Sequence, residues 1–195
     1  MTDVDEHKGW YTRRKLPHYD GAGQTQSITI HLADSLPQEV PKRIKEELPG
    51  TRAEMEIERI SRIQAYLDQG SGSCILRENQ CATIVQEALQ FLDGQRFDLR
   101  AWVVMPNHMH FLAYFGEGQS LAKALHSLKS YTAHELKKLH PELESIWQDE
   151  YFDRFIRSEA HYFKALNYIH ENPVKAHLCK DKESFRWSSC FASED

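Results

Sequence analysis

The sequence predicts an α+β fold, an antiparallel sheet with helices on its faces. Three observations lead there. Segments of period 2 and period 3.6 follow one another in the order β, α, β-β, α, β, α, which is not the alternation of a doubly wound parallel sheet. The two central strand segments are joined by Pro106-Asn107, a turn signal. No internal repeat or low-complexity tract interrupts the 195 residues, a length that suits one domain with an appended arm.

The elements can be justified in order. Residues 1–24 read as a basic N-terminal arm carrying Lys8, Arg13, Arg14 and Lys15, made irregular by Pro17 and by Gly21-Ala22-Gly23. A main domain is expected over residues 25–178. It opens with a half-buried strand at 27–32, where Ile28, Ile30 and Leu32 alternate onto one face. Residues 37–69 turn helical and charged, with a break at Pro49-Gly50, and read as a helical insertion lying over the domain. After a Gly-Ser loop, Ala82, Ile84, Val85, Ala88, Leu89 and Leu92 form the stripe of an amphipathic helix ended by Asp93-Gly94. Strands follow at 99–105 and 108–115. A long helix starts behind Ser120 as N-cap, residues 146–156 suit one or two short strands, and a final helix runs from Ser158 to a stop at Pro173. The tail, 179–195, carries Phe185-Arg186-Trp187 and is expected to pack back on the domain.

Composition sets the limits. Hydrophobic residues are 41% and aromatics 11%, enough for a proper core and too many for a disordered polyampholyte. No apolar run approaches the roughly 18 residues that span a bilayer, and the N-terminus lacks the pattern of a secretion signal, so a cytoplasmic protein without membrane contact is expected. The net charge of −5 argues against indiscriminate coating of DNA. Charge is locally polarised, however: Lys123, Lys129, Lys137 and Lys138 gather between 121 and 140 against Glu135 alone, so selective nucleic-acid binding stays open. Cys74, Cys81, Cys179 and Cys190 form no CxxC pair and read as free thiols.

Two strings carry chemistry. In Trp102-Val103-Val104-Met105-Pro106-Asn107-His108-Met109-His110-Phe111-Leu112, strand alternation points His108 and His110 the same way, with Met109, Phe111, Ala113 and Phe115 toward the core. Two imidazoles on one face suit a divalent metal, or are two solvent-facing histidines on a half-exposed strand. In the final helix, Tyr162, Leu166 and Ile169 centre the apolar stripe, while Tyr168 and Asn172, four apart, share a polar flank. That pair offers a nucleophile and a ligand, or a boundary tyrosine with an Asn cap. From geometry alone Tyr131 rivals Tyr168, with Glu135 four residues on as either a ligand or a partner of Lys129 or Lys138.

Met-Pro-Asn-His-Met-His-Phe at 105–111, Tyr-Ile-His-Glu-Asn-Pro-Val-Lys-Ala at 168–176 and Trp-Ser-Ser at 187–189 together resemble the REP-associated tyrosine transposases, members of the HUH superfamily of single-strand DNA transposases. Lys129-Ser130-Tyr131-Thr132-Ala133 and the stretch from Trp147 to Arg157 support the likeness, which covers most of the chain. It implies a ferredoxin-like HUH fold, Mg²⁺ or Mn²⁺ held by His108 and His110 with Asn172 as third ligand, and Tyr168 as nucleophile, leaving Tyr131 a structural or DNA-facing role. The implied partner is single-stranded DNA with imperfect hairpins, cleaved through a 5′-phosphotyrosine intermediate by a monomer, with a dimer, as in related minimal transposases, as the alternative. Arg13, Arg14, Lys123, Lys129, Arg154 and Arg157 are the expected DNA contacts. The alternative is a non-catalytic nucleic-acid-binding regulator that retains the fold; a third is a phosphodiesterase using water. The pattern's usual glycine after Val-Lys-Ala is His177 here, at the helix-to-tail turn.

Overall fold

The structure, a computed structural model, describes residues 7–13, 16–48 and 52–192; within them, the side chains at 13, 16–17, 52–54 and 56–57 are left aside. Its centre is a four-stranded antiparallel sheet in the order β4-β5-β3-β6, built from β3 (Gln24–His31), β4 (Asp98–Val104), β5 (His108–Phe115) and β6 (Phe152–Phe155). The long β3–β5 ladder pairs Ile28 with Phe111, Thr29 with His110, Ile30 with Met109 and His31 with His108. Its register follows from the pleat. Ile28, Ile30, Leu32, Met109, Phe111, Ala113 and Phe115 all turn to one face, where α3 (Asn79–Leu92) and α4 (Leu121–Leu139) cover them in the main core.

The opposite face is also covered. Ala101, Val103, Met105 and Leu112 pack there against Ile169, Tyr162, Ala165 and Leu166 of α5 (Glu159–Lys175). The fold is therefore the expected α+β arrangement, with helices on both faces of the sheet. Residues 37–69 hold two helices, α1 (Glu39–Glu47) and α2 (Arg52–Asp68). They have a small core of their own in Val40, Ile44, Leu48, Ile63 and Leu67, and Phe152 of β6 packs against it.

Two expectations are corrected. The N-terminal arm is not irregular: β1 (Gly9–Arg13) and β2 (Leu16–Asp20) form an antiparallel hairpin, pairing Trp10 with Tyr19 and Tyr11 with His18. The hairpin is held by contacts distant in sequence. Tyr11 and Tyr151 hydroxyls meet at 2.7 Å, buried His18 pairs with Asp153, and Asp153 Oδ2 accepts the Tyr19 N–H at 3.1 Å. Nor does the last helix stop at Pro173. It runs through the proline to Lys175, with Asn172 buried and helical in front of it. The missing proline N–H costs one intrahelical bond, but the helix end is satisfied downstream, where Ala176 N donates to Asn172 O and Leu178 N to Pro173 O, both at 2.9 Å.

Residues 187–189 run beside β4. Val104 N donates to Trp187 O at 2.8 Å and Ser189 N to Trp102 O at 2.9 Å, so residues 187–189 run antiparallel along β4. Between helix and tail, His177 sits at φ +55°, in the left-handed region that disfavours any side chain bearing a Cβ. That is the physical reason for the family pattern's glycine at this turn. His177→Gly is expected to raise the unfolding free energy by about 0.5–1 kcal/mol, the released strain being partly offset by the freer unfolded chain. Urea unfolding of the two proteins side by side checks this; equal midpoints would contradict it.

Candidate active site

On the α5 face of the sheet, β3 and β5 place Thr29, His31, His108 and His110 side by side, all buried. The two β5 rings meet edge-on, with centroids 4.5 Å apart. The alternative of solvent-facing histidines is therefore excluded. Burial pushes the His110 imidazole down to about 3 and His31 to about 4, and holds His108 well below the usual range with help from His110 and His31. These rings are neutral.

The hydrogen bonds assign the proton on His108. Asn107 Nδ2 donates to Leu67 O at 3.1 Å and to Ser71 O at 2.9 Å, so Asn107 Oδ1 is the acceptor facing His108 Nδ1 at 2.7 Å. His108 thus carries its proton on Nδ1 and turns a lone pair outward on Nε2. Thr29 Oγ1 meets His110 Nδ1 at 2.7 Å and leaves His110 Nε2 without a partner.

From the facing helix, α5 brings Tyr168 and Asn172. The Tyr168 ring stands edge-on to His110 at 5.3 Å, and Lys175 Nζ lies 5.5 Å from the centre of the same tyrosine ring. Burial, then the charge of Asp68, pushes the Tyr168 phenol above its usual range. Asn172 is fully buried and both of its amide atoms lack a well-formed partner, as does the Tyr168 hydroxyl. The sequence-derived set of His108, His110, Asn172 and Tyr168 is therefore brought to one place, and all four come from one chain.

Tyr131 is not part of it. It is 55% exposed on α4, which packs on the other face of the sheet, and Glu135 pairs with Lys138 at 2.7 Å. Among the expected DNA contacts, Arg154 stands opposite Ser27 in the β3–β6 ladder, on the histidine face, and Arg157 lies over the Phe155 ring at 4.8 Å. Lys123 and Lys129 belong to α4 on the far face, where Lys129 Nζ donates to the carbonyls of Gln148 and Asp149. The Arg13 side chain and all of Arg14 lie outside the described residues.

One site residue was missed. Asp68, the last residue of α2, puts Oδ1 3.5 Å from His108 Nε2, and one ligand atom each from Asp68, His108 and His110 lie within 4.8 Å of one another. Burial pushes its carboxyl up to about 6, against the opposing pull of the Asn172 amide and Lys175. No spacing signal joins position 68 to 108; only the docking of α2 does. Two neutral imidazole nitrogens, an amide and a carboxylate, converging with no well-formed hydrogen bonds on the facing atoms, suit a divalent cation. A second group, Glu78, Cys81 and His140, lies on the far face, where burial pushes the Cys81 thiol up to about 11 and keeps it protonated.

An antiparallel sheet carrying paired neutral imidazoles under a helix-borne tyrosine has the transposase fold. Residues 75–172 match the family described as Transposase IS200 like, and the chain belongs to that family. It is 30% identical over 94 residues to the REP-associated tyrosine transposase of Escherichia coli (strain K12), covering 48% of this chain and 54% of that one. The chain thus matches about half the length of that relative. The fold also resembles the solved structure of a REP-associated tyrosine transposase bound to a REP hairpin, with a TM-score of 0.60 and 21% identity over 91% of this chain and 82% of that one. Among the described residues, no helix is long and apolar enough to cross a membrane.

The buried imidazoles fix a pH dependence for the metal-free protein. Unfolded histidines take up protons below about pH 6.5, whereas His31, His108 and His110 stay neutral in the folded state at pH 5. Asp68 acts oppositely, because its folded pKa of about 6 lies above the unfolded value and its contribution is lost as pH rises. Three uptakes against one release leave a net uptake of about two protons on unfolding. Stability should therefore fall by roughly 2–3 kcal/mol per pH unit on acidification near pH 5. Urea midpoints measured in chelator from pH 7.5 to 5 test the slope; a flat profile would mean that the rings are hydrated.

Proposed function

We propose that this protein is a metal-dependent single-stranded DNA endonuclease and strand transferase that acts at DNA hairpins through Tyr168. The observation that carries the reading is the convergence of His108 Nε2, His110 Nε2, the Asn172 amide and the Tyr168 hydroxyl, all buried and all without partners. A core that merely packed would satisfy such groups or replace them with apolar ones. Membership of a transposase family and the hairpin bound to the solved relative support the substrate class. Because one chain supplies every group, a monomer can act alone; DNA as substrate implies a cytoplasmic location.

The residues divide the work. His108, His110 and Asn172 would hold Mg²⁺ or Mn²⁺, and the bound cation would act as a Lewis acid on a non-bridging phosphate oxygen. Asn107 and Thr29 orient the two imidazoles through Nδ1. Burial keeps the Tyr168 phenol protonated at rest, so loss of its proton accompanies attack. Tyr168 Oη forms a bond to phosphorus as the bond from phosphorus to the 3′ oxygen breaks, giving a 5′-phosphotyrosine and a free 3′-OH. The ester retains the energy of the broken bond, so a later 3′-OH can reverse the step and rejoin strands. Arg154 and Arg157, near the N-terminal end of α5, are placed to receive the backbone of the strand on the histidine face, and Lys123 and the basic arm would contact DNA farther out.

A gel assay with labelled hairpin single strands and Mn²⁺ tests the reading. The wild-type chain should form an SDS-resistant adduct, Tyr168→Phe none, and Tyr131→Phe as much as wild type. His108→Ala and His110→Ala should lose cleavage by at least about a hundredfold while keeping hairpin affinity, which comes from phosphate contacts. Cleavage without adduct would point to hydrolysis by water, and binding alone to a regulator. Mass spectrometry placing DNA on the Tyr131 peptide would overturn the assignment of the nucleophile.

A further inference from the structure

We propose that the helical insertion is part of the catalytic centre, with Asp68 as a fourth ligand to the divalent cation held by His108, His110 and Asn172. The inference rests on the reading of the two histidines as a cation platform and adds to it a residue from outside the matched 75–172 segment. Its basis is a mismatch in the hydrogen bonding. His108 carries its proton on Nδ1, fixed by Asn107, so its Nε2 presents a lone pair. Asp68 Oδ1 faces that lone pair at 3.5 Å and is itself buried and unpartnered. Two acceptors turned toward each other in a water-poor site repel unless something positive lies between them. The buried Asn172 amide, which also acts on Asp68, and His110 Nε2 complete the ring of polar groups, none with a well-formed hydrogen bond.

The position of Asp68 is built. Asn107 binds the carbonyls of Leu67 and Ser71, on either side of Asp68, with the same amide whose oxygen locks His108. Leu67 is fully buried in the core of the insertion. Beyond it, the Ser73 N–H donates to Asp34 Oδ2 at 2.6 Å, and Gly72, at φ +87°, lies where a Cβ would come within 2.9 Å of the Asp34 carbonyl oxygen. One side chain, Asn107, therefore sets both the tautomer of a histidine ligand and the end of the helix that delivers the carboxylate.

The test is Mn²⁺ binding by calorimetry on the full chain, without DNA. Asp68→Asn should weaken Mn²⁺ affinity by about tenfold to a hundredfold, since even residues that only orient ligands cost that much in metal sites. Its metal-free thermal midpoint should stay equal or rise, because the unpaired carboxylate is gone, while the rise in midpoint on adding Mn²⁺ should shrink. With Co²⁺ as probe, the visible absorption of Asp68→Asn should change shape, which an outer-lying carboxylate would not cause. Wild-type Mn²⁺ affinity in Asp68→Asn, with binding lost in His108→Ala, would overturn the role of Asp68 and leave the platform standing. Wild-type affinity in His108→Ala would remove the platform and this inference together. A lowered metal-free midpoint with an unchanged Co²⁺ spectrum would make Asp68 a structural residue and overturn the proposal.

Discussion

Two imidazoles buried side by side and kept neutral are the constraint on which the rest of the structure depends. A buried ring must be uncharged, and an uncharged ring presents one donor and one acceptor. Each Nδ1 has a partner: Asn107 Oδ1 accepts from His108, and the Thr29 hydroxyl bonds to His110. Thr29 is in place only because β3 pairs with β5 in a register that sets it opposite His110. Asn107 is in place only because its amide spans the end of the insertion. The Nε2 atoms that remain, one per ring and without hydrogen-bond partners, are what the site has to offer a ligand.

The sheet divides the labour between its faces. On the α3 and α4 side, large apolar residues from three strands interlock in a core that includes Phe97 and Phe111, their rings 5.8 Å apart. On the α5 side the apolar contact is narrower, centred on Ile169, and it stops where the histidines begin. A well-packed face therefore holds the strands still while the other face leaves polar groups unsatisfied. Native cores seldom tolerate that, and they do so where the groups have work to perform.

Much of this was written in local pattern. Alternation in Ser27-Ile28-Thr29-Ile30-His31-Leu32 and the His-Met-His spacing revealed which side chains share a face, and the period of α5 put Tyr168 and Asn172 on one flank. The family likeness then chose Tyr168 over Tyr131, which spacing alone could not do. What escaped was long-range. The hairpin at the N-terminus is held by Tyr151 and Asp153, more than 130 positions away. Pro173 reads locally as a helix stop, yet the following carbonyls and N–H groups find partners in the next turn. Asp68 looks like an ordinary surface acid at the end of a charged helix, and only the bond between Asn107 and the Leu67 carbonyl carries it to the histidines.

The first and last described segments lie at the two borders of the sheet. Residues 187–189 add a short antiparallel rung outside β4, and the N-terminal hairpin stands against β6, bound through Asp153 rather than through a ladder. Exposed strand borders are templates on which other molecules polymerise or swap segments. With one border paired and the other screened by side-chain contacts, edge-to-edge growth of the sheet is hindered, and the short β6 gains a guard it could not provide for itself. Removing either segment would leave the two-face packing of the sheet intact and uncover a strand border on which a second molecule could stack.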